Sequence, residues 1–584
     1  MKKIINQESM LHITQLLLFT MAANILLAAG LFAIGISVSW YWLPLSFLAA
    51  VIGLIGCYGK KVDHSILYEI LSAGLILILL ILIAGLFFDT SYDGNNYHKT
   101  AVGLLKEGWN PLRDDPGAGG MWVEGYCKVT WIFGACIYAI TGNLENAKPY
   151  TMIGIVCVFL ITYVFLKKKQ KDSVFCIIFS LAAACNPVAL HQMTTFYVDG
   201  FLHVMLYLVV VSLLMIEEPE VFDRKISISL LAASMIICGN IKFTGLLYGG
   251  IFCVAYFLWD CWKYFQKNRK AWLVPCVKEG CWYALLAAVT MFVAGSSSYL
   301  TNLLHHKTFT WPLTGEDAVD IMTSNSPFSE ANHFKNLFIS LFSCMENISA
   351  SSDRNPVLKI PFSIHIRKEA RFLNGIDTRI SGFGVWFSGI LLIAIVVIIV
   401  CLVKMKKDES FFLYLLNLCV CLGLTFGVKE SWWARYTPYI YFIVLMGLYL
   451  TLDIRQKLVR KTGILLALLL FANNGVILCF LPLQLYTASQ INKDIEAMAD
   501  ASYKSSLFHV ERYQGHVMAK SHALIAKYDA KLAQTTDKAE RLVIKHEANE
   551  AIAQMAKEEA LATLEKVLSE LTNQMKNAYS RSDA

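Results

Sequence analysis

The chain has 584 residues, of which 56% are hydrophobic and 16% charged, with a mean hydropathy of +0.51 and a formal net charge of +7. Water does not dissolve such a composition, which excludes soluble Rossmann, nucleic-acid-binding and secreted disulfide-rich proteins. The apolar residues gather into about thirteen runs of roughly 16 to 25 residues, long enough at 1.5 Å per residue to cross a hydrocarbon core of about 30 Å. The predicted fold is therefore all-α: a polytopic membrane protein of about 13 transmembrane helices.

Lysine and arginine in short loops stay cytoplasmic, so their clusters fix the topology. Lys2 and Lys3, Lys60 and Lys61, Lys167 to Lys171, Arg224 and Lys225, Lys267 to Lys270, Lys404 to Lys407 and Arg455 to Lys461 all fall on one side. This holds when the spans run near 12–36, 41–58, 66–88, 149–166, 173–190, 200–216, 226–240, 244–262, 281–298, 385–403, 410–427, 436–452 and 462–483. The N-terminus is then inside and the C-terminus outside. The stretch 129–140, VTWIFGACIYAI, must not cross, or the Lys167 cluster would be exported; its length suits an interfacial or re-entrant helix. The first run is too long for a cleavable signal peptide. With no retention signal in view, a bacterial cell membrane is the expected location, the active site facing outside.

Three regions follow: a two-helix N-terminal extension at 1–65, a membrane domain at 66–485 and a tail at 486–584. The membrane domain carries a first outer loop with its interfacial helix at 89–148 and a long outer loop at 299–384. In the tail, Ile544, Ala548, Ala551 and Met555, then Leu561, Leu564, Leu568, Leu571 and Met575, recur three and four apart. That spacing predicts amphipathic helices broken near Thr535 to Asp537, suited to packing or self-association. The 16 cysteines lie mostly within apolar runs and read as small core residues; only Cys127 and Cys344 fall in outer loops, which leaves room for one disulfide. His305 and His306 are adjacent, point apart and have no Cys or Glu placed nearby, so they read as a solvated pair.

Charge at a membrane boundary is costly unless solvated or used. The first outer loop, FFDTSYDGNNYHKT, places Asp89, Asp93, Tyr97 and His98 where the third span emerges, and Asp-Gly followed by Asn-Asn favours a tight turn that would aim a carboxylate. Gln192 and Asp199 lie in NPVALHQMTTFYVDG before the sixth span, Lys242 at the outer end of the seventh, and Trp433 and Arg435 in ESWWARYTP before the twelfth. With Lys128 and Lys148 the cations form a basic rim suited to a lipid phosphate.

The order DTSYDGNNYH, GYCKVTWIFGACIYAITGNLENAK, NP…Q…FYVDG, TNLLHHKTFTWPL, DTRISGFG and ESWWARY resembles the GT-C superfamily of integral-membrane glycosyltransferases. The branch in question is similar to protein mannosyltransferases and aminoarabinose transferases, that is, glycosyltransferase family 39-like. The likeness covers roughly 66–450. It implies Asp93, with Asp89 second, as catalytic base, and a polyprenyl-phosphate sugar as donor, its phosphate held by Lys128, Lys242 and Arg435. Asp199 would orient sugar or acceptor hydroxyls, with Tyr97, His98, Gln192 and Trp433 as further substrate-binding candidates. The chain departs from the family pattern in lacking a strict DxD, Asp89 and Asp93 being four apart, and in reducing the KPP-like signature to Cys127-Lys128-Val129.

The chemistry is coherent without the family. Displacing a lipid phosphate from an anomeric carbon needs a carboxylate to take the acceptor's proton and cations to meet the charge on the leaving phosphate. No cofactor is required, and nothing in the sequence supports a divalent cation. Inversion is expected, since a retaining route asks for a second, nucleophilic carboxylate. Partners would be the lipid-linked donor, a glycan, lipid or protein acceptor and membrane lipids, without nucleic acid. Two other readings compete. A polysaccharide polymerase or ligase would show arginine-rich outer loops, and a transporter or flippase would show internal repeats and polar midplane helices.

Overall fold

The computed structural model describes residues 6–59, 66–117, 120–315, 318–320, 325–328, 332–350, 354–373, 375–452 and 456–500, with backbone alone over 493–500, and short stretches between 527 and 551. The described residues are mostly helical, with two isolated bridges, Ser343 to Leu358 and Glu346 to Ile380, as the only β pairings among them. Among the described residues nine helices are long and apolar enough to cross a membrane: Gln7–Ala33, Ile66–Gly85, Leu144–Lys168, Asp199–Ile216, Phe243–Lys267, Leu273–Ala294, Phe387–Lys404, Glu409–Gly427 and Lys457–Asn492. Leu67, Leu71, Leu75, Ile78 and Leu82 form an exposed stripe on the second of these, the apolar surface an integral membrane protein presents to hydrocarbon.

Four of the predicted spans are shorter. Trp42–Tyr58 has 17 residues, Arg224–Gly239 16 and Pro438–Leu450 13. The run 173–190 is not one helix. Ser173–Ala184 stops, Asn186 caps a new turn by accepting from the Val188 N–H, and Pro187 opens Pro187–Gln192, because proline lacks the N–H that would continue the first helix. Loop residues set other starts in the same way: Asp172, Asp223 and Asp408 each accept from backbone N–H groups of the turn they begin.

The N-terminal helix packs closely on the membrane domain. Gln7–Ala33 packs against Trp42–Tyr58, Ile66–Gly85, Val129–Thr141, Tyr150–Lys168 and Arg224–Gly239. The 13-residue Val129–Thr141 does not lie open on a membrane face, since every side chain from Val129 to Ile137 is buried by protein. At the other end, Lys457–Asp500 continues unbroken past the predicted boundary at 485. The Phe88 N–H donates to the Ala488 carbonyl at 3.1 Å and Asn492 Nδ2 to the Gly85 carbonyl at 3.0 Å, tying this extension to the mouth of Ile66–Gly85. Beyond it, residues 535–537 interrupt helical pieces, Asp537 caps the Glu540 N–H, and Lys531 pairs with Glu547 at 3.1 Å across the break. Ile544 and Ala548 are buried there, while Met555, Leu561, Leu564, Leu568, Leu571 and Met575 lie outside the described residues. All sixteen cysteines are free thiols, Cys127 and Cys344 included.

Candidate functional site

The segment after Ile66–Gly85, predicted as the first outer loop, is held by a buried ion network. Glu145 pairs with Lys99 at 2.6 Å and with Lys148, whose ammonium also donates to the Phe87 carbonyl at 2.7 Å. The Asp89 N–H donates to Glu145 at 2.9 Å. Asp89 in turn makes the Asx turn of this loop: its carboxylate accepts from the Ser91 N–H and hydroxyl, each at 2.9 Å, and from the Phe196 N–H at 3.1 Å, which fastens the loop before the helix Asp199–Ile216. Asp-Gly-Asn-Asn does not form a tight turn. It enters a wide helical turn, Gly94–His98, and continues as Lys99–Lys106. A Cβ on Gly94 would sit 1.8 Å from Asp89 Oδ2, so no other residue fits.

The result is that Asp93 faces a cavity of about 1110 Å³. Asp93, Tyr97 and His98 come from this turn, Asp199 from the head of its helix, Lys242 from the residue before Phe243–Lys267, and Trp433 and Arg435 from the short turns before Pro438–Leu450. Arg435 is the hub. Its guanidinium lies 2.8 Å from Asp377, 3.5 Å from Asp199 and 3.6 Å from Asp93, boxed by the rings of Tyr197, Trp433 and Tyr436 at 4.8, 4.5 and 4.9 Å. Lys242 pairs with Asp199 at 2.5 Å, and Arg379 with Asp377 at 2.6 Å. Three carboxylates thus face three cations, and the cluster is close to neutral.

Burial pushes Asp93 up to about 6 against the pull of Arg435, with Asp377 and Asp199 adding to the rise. Its side chain nonetheless keeps 23% of its surface open to the cavity, which lets it exchange a proton with a bound molecule. Burial works against the charge of Arg435, but Tyr436, Asp377 and Asp199 outweigh it and hold the group above the ordinary arginine value. His98 is pushed down to about 3, chiefly by burial, and stays neutral. Its Nδ1 lies 2.6 Å from Trp131 Nε1, a group that only donates; Nδ1 therefore accepts and the ring carries its proton on Nε2.

Three candidates are elsewhere. Asp89 is enclosed in the turn it builds. Lys128 is buried away from the cavity, its ammonium donating to the carbonyls of Glu124 and Tyr126 at 2.7 and 2.9 Å, and burial pushes it down to about 7. Gln192 spans the loop from the Ile376 carbonyl to the Gly200 N–H. Lys148, read as part of a basic rim, is likewise locked on Glu145. In each case the side chain meets an unpaired backbone group first, and a buried ammonium or amide without such partners is expensive. His306 has a partner after all, Glu124 at 2.8 Å, and stacks on Trp311.

The sequence did not single out Tyr197, nor Asp377 and Arg379 as an ion pair. The last two stand two apart in DTRIS, where the chain turns at Thr378, whose φ is 45°, and brings Arg379 Nε to the Asp377 carboxylate. The Trp433 ring is covered by both Arg379 and Arg435, at 4.0 and 4.5 Å, and its indole N–H donates to the Asp377 carbonyl at 3.0 Å. Among the described residues no group of three or more His, Cys, Asp or Glu is arranged to hold a metal ion. No family model and no curated protein matches the chain.

Proposed function

We propose that the protein is a glycosyltransferase that moves a sugar from a polyprenyl-phosphate donor to an acceptor at the outer face of a bacterial membrane, within a frame of thirteen crossings. One observation carries the reading: Asp93, Asp199, Lys242 and Arg435, from four segments spread over more than three hundred residues, share one cavity with Arg435 at 3.6 Å from Asp93. Asp93 takes the acceptor hydroxyl's proton. The acceptor oxygen bonds to the anomeric carbon as the bond to phosphate breaks, and the electron pair leaves on the lipid phosphate, where Arg435 and Lys242 meet it. The aromatic walls at Tyr97, Tyr197, Trp433 and Tyr436 suit the apolar face of a sugar ring.

Charge balance tunes the base. The cluster is close to neutral, so an incoming phosphate competes with Asp93, Asp199 and Asp377 for Arg435. As the phosphate draws on the guanidinium, Asp93 loses the contact that lowers its pKa and becomes a stronger base as the donor docks.

Activity should therefore rise with pH through about 6 and level off above it, because Asp93 must be ionised to act; one pH unit below that midpoint, turnover falls about tenfold. The limb seen in kcat, which reports the donor-bound enzyme, should lie at higher pH than the limb in kcat/KM. A flat profile between pH 5 and 8, roughly the range a group of this pKa controls, would remove Asp93 from the role of base. The function itself is tested by mass spectrometry of surface glycans from cells with the protein, without it and with Asp93→Asn. Loss of one sugar in the second and third is the expected result, and identical glycans in all three would refute the assignment.

A further inference from the structure

The long outer loop ends in an apolar edge that water does not suit. In the helix His333–Leu341, Phe334 and Phe338 lie one turn apart and are 54% and 55% exposed, while Leu337 and Ser340 on the opposite side are buried. The edge continues without a gap. Phe338 stacks on Phe342 at 4.7 Å, the Lys359 N–H donates to the Phe342 carbonyl at 2.9 Å, and Leu358 and Ile360, flanking Lys359, are 56% and 79% exposed. Ile366 follows at 64%. Lys359 itself turns inward to a buried pair with Glu369, so the charge faces the protein and the hydrocarbon faces out.

Both ends of this edge rest on membrane helices. Phe334 packs on Phe426 at 5.8 Å, at the C-terminal end of Glu409–Gly427. Phe362 covers Gly389, where an added Cβ would sit 2.4 Å from its ring, at the N-terminal end of Phe387–Lys404. Those helices carry exposed apolar flanks of their own, with Leu392, Val396 and Ile399 on one and Phe426 on the other. The edge therefore prolongs a lipid-facing surface, with exposed Arg367 and Lys368 next to it where headgroup phosphates would lie.

We propose that residues 333–342 and 358–366 form a membrane-seated apron: their apolar edge, from Phe334 to Phe342 and from Leu358 to Ile366, inserts into the bilayer leaflet beside the ends of Phe387–Lys404 and Glu409–Gly427, its partner being lipid. Apolar edges of this kind sit about 5 to 10 Å into the boundary of headgroups and acyl chains. The same loop brings Asn325, Ser349, Asp377 and Arg379 to the cavity, so seating the edge holds the cavity roof at headgroup depth. The inference stands whether or not the protein transfers sugars.

The test uses the full chain in nanodiscs of phosphatidylethanolamine and phosphatidylglycerol, with a fluorescent non-natural residue at position 338 or 360, and at exposed position 354 as control. Lipids brominated near the carbonyl end of the acyl chain should remove about half the emission at 338 and 360, while aqueous iodide should quench only 354. Iodide quenching at 338 and 360 without an effect of bromolipid overturns the proposal. A photo-cross-linking residue at the same two positions gives an independent readout. Attachment to phospholipid supports the apron, and attachment to a second copy of the chain assigns the edge to an oligomer instead.

Discussion

Asp93→Asn should abolish sugar transfer while leaving the protein folded and able to bind donor. Asparagine keeps the shape of the side chain and its place at the start of the turn Gly94–His98, and loses the negative charge and with it the ability to accept a proton. Removing a general base lowers turnover by about 10² to 10⁴-fold. The change also relieves Arg435 of one of its three carboxylates, so phosphate has less competition and donor affinity should stay level or rise. The measurement is turnover against a synthetic polyprenyl-phosphate sugar, together with donor binding by the purified protein. Turnover within a few-fold of the natural chain would exclude Asp93 as the base, and lost donor binding would point to a structural role. In a flippase, whose cycle breaks no glycosidic bond, the same change should have a mild effect.

Glu145→Leu should cost the most stability of any single change in the segment 89–148. The carboxylate lies between Lys99 and Lys148, whose side chains are 1% and 0% exposed, and also accepts the Asp89 N–H. Leucine leaves two buried ammonium groups with only Asp89, the Asn95 side-chain carbonyl and backbone carbonyls to face, and removing one partner of a buried ion pair costs about 3 to 5 kcal/mol. Because Asp89 anchors both the turn that carries Asp93 and the segment before Asp199, cavity and stability should fail together. Thermal unfolding in detergent, followed with and without donor, checks this. A midpoint near that of the natural chain would mean that the two lysines find water, and that the network is not as closed as its burial indicates. The contrast with Lys531 and Glu547 is instructive: that pair is about half exposed on both sides, and severing it should change the midpoint little.

Much of the architecture was legible in the chain because hydrocarbon imposes a length and a composition on whatever crosses it. The nine long helices each coincide with a predicted run, and Asp and Asn at the loop edges mark several of their starts. What failed to read was the middle range. Length alone did not reveal that 173–190 breaks at Pro187, nor that Val129–Thr141 is covered by protein. The N-terminal helix looked like an addition because sequence order says nothing about which helices become neighbours.

The candidate site divides along the same line. Residue type and position at helix ends were enough to nominate Asp93, Asp199, Lys242 and Arg435, since charge persists at a membrane boundary only where something meets it. Lys128, Lys148, Asp89 and Gln192 satisfy the same description on paper. What separates the two sets is burial and the nearest unpaired backbone group: Lys128 closes on two carbonyls, Lys148 on Glu145, Asp89 on its own turn and Gln192 on a neighbouring loop, while Arg435 is left among three carboxylates at the wall of an open cavity. Composition alone determined that this chain is built of long apolar helices suited to hydrocarbon. Which charges remain free to act was decided by the tertiary structure, because whether a buried charge finds a partner depends on groups hundreds of residues away.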